Sequence, residues 1–321
     1  MYSVSDYGAM IADPVRMNAY ALALARSVRP GDVVVDVGCG TGILSLIACK
    51  LGARRVYAIE PSPCIEFARR CAAKNGFADR ITFFESRSTE VELPEMADVL
   101  VSDLRGSTPL SGSHLSATAD ARARLLKRGG IQIPLRDRLI IAPVEIPALY
   151  ASITSGSSFG ELDLSPCLEV VVNAQHVDAV APLQPHNLLA APEQWATLDY
   201  VNMGEPRVSG RASFEVSRSG VFHGFGGWFA AELADGIGYA NSPFLAPMIY
   251  ARTLLLSPDP VAVSAGDRVT VAIFASEHAR EGVAVGWSTT IESGSRTRAQ
   301  FKQSTLSATP IGRALGRLRE P

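Results

Sequence analysis

Val33-Val34-Val35-Asp36-Val37-Gly38-Cys39-Gly40-Thr41-Gly42 is the stretch that decides the fold. A run of β-branched residues ends in a glycine-rich turn, and the helical pattern of Ile43 to Lys50 follows directly. Glycine at 38, 40 and 42 permits tight turns and a close backbone approach to a ligand. The helix opening near Thr41 aims its free N–H groups at the same place. A second strand, Val56-Tyr57-Ala58-Ile59, runs into Glu60, about twenty residues past the turn, where a carboxylate holds ribose hydroxyls. Asp36 is placed to orient the loop or the aminoacyl end of a ligand, and Cys39 and Pro61 flank the same site. The spacing is GxGxG rather than GxGxxG, and Glu60-Pro61-Ser62 follows it. That sets a nicotinamide cofactor aside and points to S-adenosylmethionine.

Outward from this stretch, residues 1–30 read as a helical opening segment closed by Pro30-Gly31. Further helices are expected over Pro61–Asn75 and around 113–127, the latter stopped by Gly129-Gly130. Strands are expected at Ile81–Phe84, Asp98–Ser102 and from Ile131. Strands alternating with helices imply an α/β, doubly wound parallel sheet. From about 139 the helical period fades. Short β-prone runs separated by Pro, Gly and Asp take over: Leu139–Ala142, Ser213–Ser217, Val221–Phe229, Arg252–Leu256, Arg268–Phe274 and Val283–Ile291. These predict a mainly antiparallel β-barrel. Residues 159–198, rich in Pro, Leu, Ala and His, read as an inserted arm that packs on another subunit. The expected domains are 1–138, binding the cofactor, and 139–321, the β-barrel.

Composition limits the partners. The 321 residues carry a net charge of −2, so no basic excess exists to hold a phosphate backbone, and nucleic acid is not the expected substrate. Five cysteines form no CxxC pair and no metal-ligand spacing, as suits reduced thiols in a cytoplasmic protein without a metal. No secretory leader pattern is evident, and no apolar run reaches the roughly 18–20 residues that span a bilayer.

The sequence resembles the protein arginine methyltransferases. Tyr7-Gly8-Ala9-Met10-Ile11-Ala12-Asp13-Pro14-Val15-Arg16 is similar to that family's first helix, and the resemblance gives Arg16 the methionyl carboxylate. Asp36 to Leu44 and Gly52 to Glu60 resemble its donor motifs, which implies S-adenosylmethionine as cofactor and S-adenosylhomocysteine as product. Glu90-Val91-Glu92-Leu93-Pro94 resembles the stretch after the adenine-binding residue, placing Ser88 and Thr89 at the adenine end. The likeness also implies a homodimer through the arm.

One loop departs from the family pattern S-E-x-M-G-x-x-L-x-x-E. Ser102-Asp103-Leu104-Arg105-Gly106 opens it, and Gly112 stands at the second glutamate. Ala246-Pro247-Met248 stands where the family carries Thr-His-Trp. Two carboxylates neutralise a guanidinium; removing one and adding a cation at 105 turns such a pocket neutral or basic. The expected acceptor is therefore a small molecule, amino-acid-derived or of natural-product type, methylated on N, C or O. Asp103, His114, Tyr7 and Arg105 are the residues expected to face it. Arg105 stands either as a carboxylate clamp or as an ion-pair partner, and His114 either as a base or as a capping histidine. The alternatives are a protein arginine methyltransferase with a degenerate loop, and a silent dimerisation partner.

Overall fold

The computed structural model describes residues 4–159, 161–278 and 282–308. In chain order its first elements are α1 (Val4–Ala12), α2 (Pro14–Ser27), β1 (Val33–Val37), α3 (Ile43–Lys50), β2 (Arg55–Ile59), α4 (Ile65–Lys74), β3 (Ile81–Phe84), β4 (Ala97–Ser102), α5 (His114–Leu125) and β5 (Leu126–Ile133). The five strands form a parallel sheet in the order β3-β2-β1-β4-β5. All five residues of β1 are buried, as a central parallel strand covered on both faces requires. Val33, Val35, Val37, Tyr57, Ile59 and Leu100 pack with Ala121 and Leu125 of α5 into one core.

Register places the site. Val37 pairs with Ile59 on one side and with Ser102 on the other. The next residue of each strand is Gly38, Glu60 or Asp103, so all three emerge at the carboxyl edge of the sheet where the strand order reverses. Two local differences from the sequence reading have physical causes. Pro61 to Cys64 form a turn before α4, because the Glu60 carboxylate takes the Ser62 N–H (2.9 Å). Gly129-Gly130 lie inside β5 rather than ending a helix. There the β4–β5 pairing shifts register, and a Cβ on Gly130 would come 2.9 Å from the Asp98 carbonyl.

The chain divides into two compact units, and the first is not continuous: it takes in the chain up to Asp137, then Leu198–Pro206 and Ala230–Ala240. The later elements are β6 (Arg136–Val144), α6 (Pro147–Thr154), β7 (Ser158–Phe159), β8 (Leu162–Asp163), α7 (Pro166–Val172), β9 (Gln175–Val177), β10 (Glu193–Asp199), β11 (Arg207–Glu215), β12 (Gly220–Ala234), β13 (Ile237–Ala240), β14 (Thr253–Val263), β15 (Arg268–His278), β16 (Gly282–Ser293) and β17 (Arg296–Ser304). The second unit is mainly antiparallel, with a four-stranded sheet β11-β15-β16-β17 and a larger sheet ordered β10-β6-β12-β14-β9. The stretch 159–198 is thus not a lone arm: β9 and β10 close the two edges of the larger sheet, and Leu183 is buried in the core with Val144, Trp228 and Leu254. Among the described residues no helix is long and apolar enough to cross a membrane.

Candidate active site

At the carboxyl edge of the parallel sheet lies a cavity of about 620 Å³. Eight of the expected residues line it: Tyr7, Arg16, Gly38, Cys39, Gly40, Glu60, Pro61 and Asp103. Gly40 has a φ of +54°, and a Cβ there would sit 2.7 Å from the Tyr7 ring. The turn is therefore shaped around the α1 side chain above it, and glycine is required on both counts. Glu60 is buried; its Oε2 accepts from Gly40 N (3.1 Å) and its Oε1 from Ser62 N (2.9 Å). Two backbone donors fix the carboxylate where a diol would meet it. Asp36 lies beneath the turn, outside the lining. Ser45 Oγ donates to its Oδ2 (2.7 Å), while the buried Oδ1 has no hydrogen-bond partner. Burial raises its pKa from 3.8 to about 6. A buried turn with an orphaned carboxylate oxygen, a held glutamate and a cationic arginine fits a nucleoside bearing an amino-acid tail.

Arg16 reaches the cavity from α2. Asp13 caps that helix, accepting from Val15 N (2.9 Å) and Arg16 N (3.1 Å), with Pro14 in the first turn. The Arg16 Nε–H donates to Asp103 Oδ2 at 2.6 Å. Tyr7 hangs from α1; the Cys64 thiol donates to its hydroxyl (3.2 Å), and burial pushes its phenol well above the ordinary range, so it stays protonated.

Arg105 and His114 are elsewhere. Neither lines the cavity, and Arg105 is 0% exposed. Its guanidinium donates through Nε and Nη2 to both oxygens of Asp137 (3.0 and 3.3 Å). Through Nη1 it donates to the Tyr20 hydroxyl (2.9 Å), the Tyr239 hydroxyl (2.7 Å) and Asp103 Oδ1 (3.2 Å). Neighbouring Asp137 and the two tyrosines hold its pKa well above the usual value despite burial. The expectation that Arg105 turns the pocket basic is thereby corrected: its charge is matched inside the protein. His114 is also buried, bonded through Nε2 to the Tyr200 hydroxyl (2.9 Å) and through Nδ1 to Thr118 Oγ1 (3.4 Å). Tyr200 itself donates to Asp137 Oδ2 (2.6 Å), so it accepts from His114, which assigns the ring proton to Nε2. Burial, then the charge of Arg105, lowers the His114 pKa from 6.5 to about 3. An imidazole so placed is a structural partner, not a base facing an acceptor.

Ser88 is buried in the short turn Ser88–Glu90 and Thr89 is exposed on it, both outside the cavity lining. Sequence reasoning missed Met10, Ile11, Thr41, Ile43, Leu44, Ser62, Arg87 and Leu104, all of which line the cavity. Leu104 packs against Gly38, whose absent Cβ leaves it room, a closeness that only the fold reveals. Among the described residues no cluster of His, Cys, Asp and Glu could hold a metal ion.

Comparison with known proteins adds the family. A model of ribosomal protein L11 methyltransferase matches residues 20–107. The protein arginine N-methyltransferase 6 of Xenopus tropicalis is 31% identical over 280 residues, covering 83% of this chain and 82% of that protein. A probable protein arginine N-methyltransferase 6 of Arabidopsis thaliana is 33% identical over 241 residues, 73% of this chain. The chain spans about half the length of that plant relative (55%) and of the Dictyostelium discoideum protein arginine N-methyltransferase 2 (46%). The Trypanosoma brucei PRMT1 enzyme–prozyme heterotetrameric complex with AdoHcy superposes with a TM-score of 0.84 at 23% identity, covering 93% of this chain and 96% of that one. Arabidopsis thaliana protein arginine methyltransferase 10 gives 0.80 at 22%, covering 94% and 97%. Both show the same fold, a Rossmann-like sheet followed by a β-barrel domain. The named relatives overturn the expected small-molecule acceptor, whose physical premise, a cation in the pocket, the buried Arg105 has already removed. The chain belongs to the protein arginine N-methyltransferase family.

Proposed function

We propose that this chain transfers a methyl group from S-adenosylmethionine to an arginine side chain of a protein. The observation that carries this reading is the join of two features. Relatives named for that activity align over 83% of the chain, and Arg16, Gly40, Glu60 and Asp103 meet in one cavity at the sheet edge. Glu60 is assigned the ribose hydroxyls, Arg16 the methionyl carboxylate, and Asp36, Cys39 and Pro61 the turn around them. When bound, the donor supplies a methyl group already activated on a sulfonium, so orientation is the protein's main contribution. Asp103 is the loop's acid in the cavity and can orient a guanidinium nitrogen by charge-assisted hydrogen bonding. Gly112 adds no second carboxylate. We further propose a homodimer working in the cytoplasm, in keeping with five cysteines that are all free.

Incubation with labelled donor and an arginine-rich protein, read by mass spectrometry, tests the reading. Methylarginine is the expected product. A protein that binds S-adenosylhomocysteine yet forms none on its own would sink it. A second reading is favoured by one observation: Asp103 already holds two arginines, at 2.6 and 3.2 Å. Under it the chain is a partner that raises the activity of another family member, and methylarginine appears only when both are mixed.

A further inference from the structure

Arg105 stands in the loop after β4, where the family resemblance places a methionine, and it is among the largest fully buried side chains of the protein. A buried guanidinium is tolerated only when paired and hydrogen-bonded throughout. Here the pairing is directional. Asp137, itself 0% exposed, grips Nε and Nη2 with both oxygens, a fork that fixes the plane of the guanidinium. Tyr200 holds Asp137 from behind (2.6 Å), and Tyr20 and Tyr239 close on Nη1 from two sides. The one group of this cluster that also lines the cavity is Asp103, whose Oδ1 takes Nη1 and whose Oδ2 takes Arg16.

We propose that Arg105 is a positioning residue: braced by Asp137, it sets the direction of the Asp103 carboxylate and, through it, of Arg16 at the cavity wall. This rests on the arginine-methylation reading for its consequence in turnover, but not for its geometry. A carboxylate on a short side chain, with no second acid at Gly112, has its rotamer set by its neighbours alone. The fixed fork of Arg105 removes that freedom, which a methionine at the same position would leave open. Lysine would not substitute, since one ammonium cannot match the planar fork of Asp137 and reach Asp103 as well.

The test separates positioning from mere support. Arg105→Met combined with Asp137→Asn removes both charges together, so no buried ion is left alone; Arg105→Lys is the second variant should that pair fail to melt cooperatively. In arginine-labelled protein the Arg16 Nε–H, assigned by Arg16→Lys, gives a nuclear magnetic resonance signal that reports its bond to Asp103. The wild-type signal is expected downfield and protected from exchange, and in either variant it should move toward the free-arginine position. An Arg16 signal that stays in place in a folded variant overturns the brace. In turnover of an arginine protein, kcat is expected to fall about tenfold or more and the donor KM, which reads Arg16, to rise about threefold or more. Unchanged kcat overturns the brace as well. A wild type with no turnover of its own speaks against the proposed function, and the Arg16 signal still decides the brace.

Discussion

Asp36 lies under the glycine turn with one carboxylate oxygen on the Ser45 hydroxyl and the other without a hydrogen-bond partner, and its burial, outweighing the Ser45 bond, favours the protonated form. Its pKa of about 6 exceeds the unfolded value of 3.8, and the retained proton contributes stability that is full below pH 4 and lost as pH rises through 6. The shift corresponds to about 3 kcal/mol. His114 has the opposite sense: lowered from 6.5 to about 3, it contributes stability that is full above pH 6.5 and lost as pH falls toward 3. The two oppose each other between pH 4 and 6. Thermal melts across that window should show Asp36→Asn steepening the rise of Tm with pH and His114→Gln flattening it. Slopes that both steepen would refute the His114 assignment, and slopes that both flatten would refute that of Asp36. Glu60 gives a third test. Its carboxylate accepts two backbone N–H groups, and losing a charge-assisted bond costs about 1.5–3 kcal/mol. Glu60→Ala should weaken S-adenosylhomocysteine binding by about tenfold to a hundredfold in calorimetry. An affinity within a factor of about two would remove Glu60 from the site.

Arg16 is only as well placed as the helix that carries it. Asp13 caps α2 with two backbone bonds, and one of them goes to Arg16 N itself. Asp13→Ala should cost about 1 kcal/mol of stability. It should also weaken S-adenosylhomocysteine binding, because the frayed turn is the one bearing the guanidinium. A lower Tm with unchanged affinity would show the cap to be structural only. This helix was legible in the sequence, as were β1, β2 and the glycine turn, because apolar runs and glycine punctuation sit within a few residues of one another. β17 was not. Arg296–Ser304 has polar residues at most positions and only Gln303 buried, so an edge strand left no apolar signature. β9 spans three residues, Gln175–Val177, too few for any period to register. The site divided in the same way. Residues next to the glycine turn could be read from spacing, whereas Arg105 could not: its partners Asp137 and Tyr239 lie 32 and 134 positions away. A loop motif places a side chain along the chain, and only the fold says which way it points.

At the scale of the whole molecule, the first unit is assembled from three pieces of chain, and that corrects the picture of a cofactor domain ending at 138. Residues up to Asp137 contain the entire parallel sheet and every residue lining the cavity. They lack Tyr200 and Tyr239. Tyr200 holds both Asp137 and His114, and Tyr239 takes 2.7 Å from Arg105 while its ring lies 6.3 Å from that of Tyr20. A fragment 1–138 would therefore keep the buried ions while losing hydroxyls that satisfy them, and would open the Tyr20 face of α2 to water. Unsatisfied buried polar groups cost about 1–3 kcal/mol each, and more when charged. Several together approach the 5–15 kcal/mol that typically holds a domain folded. The fragment is expected to show no cooperative thermal transition and no S-adenosylhomocysteine binding by calorimetry, although it carries every donor-site residue. A fragment that melts sharply and binds like the full chain would show instead that the two later segments decorate the unit rather than complete it.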